Sequence, residues 1–173
     1  MKSAKKILAL ILAGVMALAL LTGCGKATSL NRTMAEGLAE FAKSSLAEEG
    51  NTKNISVSYQ VPELSRDIAP LFDETWITED EDGFDALNET VEATLTDILS
   101  SYMSAARVEF AAADVTDGKT PFMEVAKLLN SRIGFSGGNS SLANASITSI
   151  RIAVVHKNVN SRTYALVVII YEA

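Results

Sequence analysis

Few residues in this chain have the type and spacing that chemistry needs. His156 is the only histidine. A multi-histidine zinc site within one chain is therefore excluded, and any Ser-His-Asp arrangement would have to use this residue. It falls near the end of an apolar alternation, in register with Ile150, Ile152 and Val154. That is the place of a structural histidine at a strand end. Glu109, Asp114, Asp117 and Glu124 gather in sequence around a turn at 114–120. Paired carboxylates do acid–base work only at suitable separations, and closeness in a turn does not supply them. A solvated turn is the plainer reading. No catalytic residue and no cofactor are assigned.

An acidic stretch offers a second chemistry. With Thr78 as position 1 of a twelve-residue calcium loop, Asp80 and Asp82 stand at 3 and 5, Gly83 at 6, Phe84 at 7 and Glu89 at 12. An EF-hand uses those places for carboxylate oxygens, a sharp turn, a backbone carbonyl and a bidentate Glu. Thr at position 1 and Asp85 at position 8 depart from the pattern, and no clear helix precedes it. The alternative is a solvated loop that sets negative charge at a helix N-terminus. No metal site is assigned.

The elements that must position these groups follow from periodicity. Thr33 and Glu36 read as a capping box for a helix over 33–49 with apolar positions at Met34, Leu38, Phe41, Ala42 and Leu46, stopped by Gly50. Ile55, Val57, Tyr59 and Val61 alternate with polar residues, which predicts a half-buried strand over 54–61, ended by Pro62. Trp76 should cap a core edge. Leu87, Val91, Leu95, Ile98 and Tyr102 carry a helical spacing, read as helix over 84–112, bent or broken near Ser104. Arg107 to Ala112 reads alternatively as a short strand. Thr120 and Pro121 open a helix over 120–132. Gly134 to Ser141 is Gly, Ser and Asn rich and reads as a mobile loop. Strands over 147–157 and 163–172 close the chain as a hairpin. The last strand is apolar on both faces, so both should be covered. The expectation is an α+β fold with an antiparallel sheet under helices, in its fullest form a three-layer α-β-α sandwich.

The start of the chain speaks of location. Lys2, Lys5 and Lys6 precede an apolar run of 15 residues, Ile7 to Leu21. At 1.5 Å per helical residue the run reaches about 22 Å, short of a bilayer core of about 30 Å. This is the pattern of a secretory signal peptide. It ends in Leu21-Thr22-Gly23-Cys24, which resembles the lipobox of bacterial lipoproteins. The resemblance implies cleavage before Cys24, a diacylglycerol on its thiol and often an acylated amino terminus. The expected organisation is a signal peptide over 1–23, a lipidated Cys24 with a short tether to 32, and one domain over 33–173. Cys24 is the only cysteine, so no internal disulfide forms. The net charge of −6 falls to −9 once the leader lysines are removed. So acidic a surface argues against nucleic acid and against adhesion to anionic lipid through protein charge. The membrane contact expected is the lipid on Cys24, at the extracytoplasmic face of the cell membrane.

A second resemblance spans about 84–172. Ala106-Arg107 with Glu109, then Thr116-Asp117-Gly118-Lys119-Thr120-Pro121-Phe122, then Ile147 to Val154 and Tyr164 to Tyr171, look like the CAP (SCP-like) secreted domain. It implies an α-β-α sandwich in a degenerate, metal-free member. The family's cleft histidines, its Gly-Glu-Asn segment and the Trp-containing helix before its last hairpin have no counterpart, so no site residue carries over. The function expected is a lipid-anchored envelope protein that binds or scaffolds an envelope protein or a wall ligand. An envelope hydrolase, with perturbed carboxylates in a cleft near Glu109 to Asp117, is the rival class. A two-lobed solute-binding lipoprotein needs a longer chain.

Overall fold

The computed structural model describes residues 30–79 and 83–173. They form a mixed α+β fold around a five-stranded sheet. Its strands are β1 (Ser56–Ser58), β4 (Arg107–Asp114), β5 (Ile133–Gly138), β6 (Ser149–Val159) and β7 (Arg162–Glu172), in the order β1-β6-β7-β4-β5. A separate antiparallel pair, β2 (Ile77–Glu79) and β3 (Asp85–Leu87), lies outside it. The helices are α1 (Leu30–Glu48), α2 (Glu89–Met103) and α3 (Pro121–Leu129).

β7 occupies the middle of the sheet because it alone is buried continuously, from Tyr164 to Tyr171, on both faces. Ala165, Val167, Ile169 and Tyr171 join one core with Met34, Leu38 and Ala42 of α1 and Val125 and Leu128 of α3. Tyr164, Leu166, Val168 and Ile170 join the other with Leu95 and Leu99 of α2 and with Ile68, Phe72 and Trp76. Two cores on opposite faces of one sheet make the three-layer sandwich.

Several expectations need correction. α1 is already helical at Leu30, so Thr33 lies within the helix, and Glu36 pairs with Arg32 at 2.7 Å one turn back. β1 pairs with β6 in parallel, with Ser56 opposite Ser149. The cause is the course of α1. Asn31 meets His156 and Asn51 meets Ile147, so α1 runs against β6 and delivers the chain back to the start of β6. Residues 85–87 extend into a strand, and Asn88 caps α2, accepting from the Thr90 amide at 2.9 Å. Past Ser104 the chain becomes β4, the strand alternative for 107–112. Trp76 is interior, 1% exposed, with an edge-on contact to Tyr164 at 4.9 Å.

The helix expected to 132 stops at Leu129. Ser131 Oγ then accepts from the Ile133 amide at 3.1 Å and donates to the Ala112 carbonyl, turning the chain into β5. Gly134 to Gly138, expected as mobile loop, is therefore an edge strand on β4. Its glycines serve close pairing. A Cβ on Gly134 would stand 2.2 Å from the Phe110 carbonyl oxygen, and Gly138 sits at φ +100°.

Candidate functional site

The helices cover the α1 face unevenly. α1 lies over β6 and packs on α3, which lies against β4 and β7. Beyond them the floor is made by β4 and β5. On this face β4 presents Arg107 and Glu109, and β5 presents Gly134, Ser136 and Gly138, all three exposed. The result is a trough of about 370 Å³, walled by Phe41, Ala42 and Leu46 of α1 and closed at one end by Glu49 and Asn144.

Local structure fixes the two closing residues. Gly50 takes φ +91°, its amide bonds Ala47 O at 3.1 Å, and the Asn51 amide bonds Leu46 O at 2.9 Å. This is the glycine-dependent helix ending in which two C-terminal carbonyls are satisfied. Buried Asn51 then donates to the carbonyls of Asn144 and Ile147 at 2.7 and 2.9 Å. The 3-10 turn Asn144–Ser146 is thereby clipped to the end of α1.

Across the trough runs one chain of polar side chains. Asn144 Nδ2 donates to Glu49 Oε2, and Arg107 Nη1 donates to Asn144 Oδ1 at 2.5 Å. Arg107 Nε stands 3.5 Å from Glu109 Oε1, and the Tyr171 hydroxyl donates to Glu109 Oε2 at 3.2 Å. The guanidinium also lies over the Tyr171 ring, 4.3 Å from its centroid. Arg107 Nε is buried and has no hydrogen-bond partner among the described residues. Burial pushes the Glu109 carboxyl above its ordinary range, against the pull of Arg107 and Tyr171, and Glu49 adds to the rise. Burial likewise pushes the Tyr171 hydroxyl up, so it stays a donor. The site thus offers one guanidinium, two carboxylates and an apolar wall, with negative charge in excess.

The residues singled out by sequence do not assemble here. Asp114 lies five positions from Glu109 along β4, about 17 Å away, and on the opposite face. Burial works upward on its carboxyl, but the Thr116 hydroxyl and amide and the Arg162 charge outweigh it, and the net shift is downward. Asp117 is in the following turn. Glu124 is buried on α3 and takes His156 Nε2 at 2.7 Å, while His156 Nδ1 meets Asn31 Oδ1 at 2.5 Å. His156 is thus a tie between β6, α1 and α3. In the acidic stretch, Thr78 pairs with Ala86 across β2 and β3, the Phe84 ring carries Arg132 at 4.2 Å, and Glu89 opens α2. The segment leading into that stretch is a strand. Asp80 and Asp82 lie outside the described residues, as do the leader and Cys24. Among the described residues no helix is long and apolar enough to cross a membrane, and no group of three His, Cys, Asp or Glu could hold a metal.

A second cavity, about 410 Å³, opens beside the β6–β7 hairpin, rimmed by Asp73, Glu74, Asp85 and Arg162 over Trp76 and Tyr164. It is larger, but Asp73 is spent on Thr75 within its own turn, and no comparable chain of side chains crosses it among the described residues. Sequence reasoning named Glu109 for its charge and Arg107 within a resemblance. It missed Glu49, Asn144 and Tyr171 as partners. A usable signal was the alternation Arg107-Val-Glu109-Phe, a strand with one charged face.

No known protein family, no curated protein and no solved structure matches the chain.

Proposed function

We propose that this is a lipid-anchored protein of the bacterial cell envelope, held by an acylated Cys24, whose α+β domain is a binding module at the extracytoplasmic face. The observation that carries the reading is the sequence itself: three leader lysines, an apolar run too short to span, and Leu21-Thr22-Gly23-Cys24. The trough lends support as a place for a ligand, because it sets Arg107, Glu109 and Glu49 beside Phe41 and Leu46 of α1 in one open concavity.

The test is metabolic labelling in a bacterial host with an alkyne-tagged palmitate. The wild-type chain should take the label and fractionate with membranes. Cys24→Ser should take none and retain its leader. An unlabelled wild-type chain with the leader removed at another bond would overturn the anchor.

A second reading, a degenerate CAP (SCP-like) domain, draws support from the three-layer sandwich and its terminal hairpin. It offers no histidine chemistry, since His156 is held by Asn31 and Glu124.

A further inference from the structure

We propose that the trough over β4 and β5 binds a small zwitterion, an α-amino acid with an apolar side chain. In this site Arg107 takes the carboxylate, Glu109 and Glu49 take the ammonium, and Phe41 and Leu46 receive the side chain. The inference rests on the reading of the domain as a binding module and names the ligand class of its site.

The trough carries an excess of negative charge beside a guanidinium that keeps N–H donors to spare. Arg107 donates to Asn144 and is engaged by Tyr171, while its buried Nε lacks a hydrogen-bond acceptor among the described residues and stands 3.5 Å from the nearest carboxylate oxygen. A guanidinium carries five N–H donors, so its terminal nitrogens, on a side chain 25% exposed, can still meet a ligand carboxylate through charge-assisted bonds. Two carboxylates against one guanidinium leave a negative charge over. A ligand ammonium between Glu109 and Glu49, which line the same trough, offsets that excess. A simple anion would leave both carboxylates as they are. A simple amine would leave the guanidinium as it is. A ligand with both groups on one carbon answers both, and its side chain finds an apolar wall on α1. The volume falls at the low end of the roughly 300–1,000 Å³ common for small-molecule sites.

The test is titration calorimetry of the full chain, purified in detergent, with leucine, leucinamide, N-acetylleucine and the dipeptide Leu-Leu. Leucinamide lacks the carboxylate, and N-acetylleucine lacks the ammonium. Leucine should bind, and each derivative should bind at least about tenfold more weakly. In Arg107→Gln, leucine and leucinamide should become equal. In Glu109→Gln, the gap between leucine and N-acetylleucine should shrink. Cooperative melting of each variant shows that it is folded. Equal binding of leucine and leucinamide by the wild type, or no heat at millimolar leucine from a chain that melts cooperatively, would overturn the proposal. Tighter binding of Leu-Leu than of leucine would also overturn it and assign the site to a peptide. The anchor is read separately, by the label on Cys24, so either idea can fail without the other.

Discussion

Strand β4 separates two unlike surfaces. On one face Val108, Phe110 and Ala112 are sealed under the layer of α2 and the 64–76 segment. Phe110 lies 5.7 Å from Phe72 and 6.0 Å from Phe135, and Phe72 lies 4.2 Å from Trp76, between ring centroids. On the other face Arg107 and Glu109 look into an open trough beside a strand of glycines and a serine. The difference lies in how far the cover extends. The 64–76 segment supplies aromatic bulk to its face, whereas α1 and α3 are centred on β6, β7 and the far half of β4. Polar residues sit where the helical cover runs out. The alternation along one strand therefore marks at once a core and a candidate site.

The largest test of this contrast is Trp76→Ala. It empties the centre of the sealed face and should destabilise by about 3–5 kcal/mol. For a domain of this size the thermal midpoint should drop by roughly 6–20 °C. Ser136→Ala on the open floor should stay within about 0.5 kcal/mol. A Trp76→Ala loss as small as that would erase the distinction between the faces. Next comes the tie that holds α1 and α3 over the sheet. Glu124→Ala strips His156 Nε2 of its acceptor and should lower stability by about 1–3 kcal/mol, read from the denaturant midpoint. Combined with His156→Ala the losses should fall short of additive, because the two side chains share one interaction. Strict additivity would mean that the tie does not contribute to holding the helices.

Much of the sandwich was legible in advance, and the reason is visible in β7. An alternation with both parities apolar, from Tyr164 to Tyr171, requires cover on two sides. The caps at Thr120 and the stop at Gly50 were equally local and equally readable. The failures came where one composition suits two structures. Gly134 to Gly138 has the makeup of a loop, but its glycines allow tight pairing against Phe110 and Ala106. Phe84 to Leu87 fitted a helical spacing, and pairing with β2 prevailed until Asn88 capped the helix. The site was hardest to read. Glu49, Arg107, Asn144 and Tyr171 come from four segments, and the antiparallel course of α1 over β6 brings them together. No spacing in the sequence encodes that meeting.

The finest test lies in pH. Burial raises the Glu109 carboxyl above its ordinary 4.5, so the folded state holds that proton longer than the unfolded chain does. The stability this contributes is fully present below about pH 4.5 and is lost as pH rises through the folded value. Asp73 and Asp114 run the other way. The Thr75 amide and hydroxyl lower Asp73, and Thr116 with Arg162 overcomes burial to lower Asp114. Their contribution is present above 3.8 and is lost as pH falls through their depressed values. Stability should therefore climb out of acid on the aspartates and then lose a little just above pH 4.5. Glu109→Gln should abolish that decline and leave the acid limb unchanged. The effect is small, because the Glu109 side chain keeps 38% exposure and water screens its charge. Chemical unfolding at closely spaced pH values reads it. An identical slope above pH 4.5 in wild type and variant would mean that the trough solvates its carboxylate as well as open water does. The contrast between the two faces of β4 would then be one of shape alone.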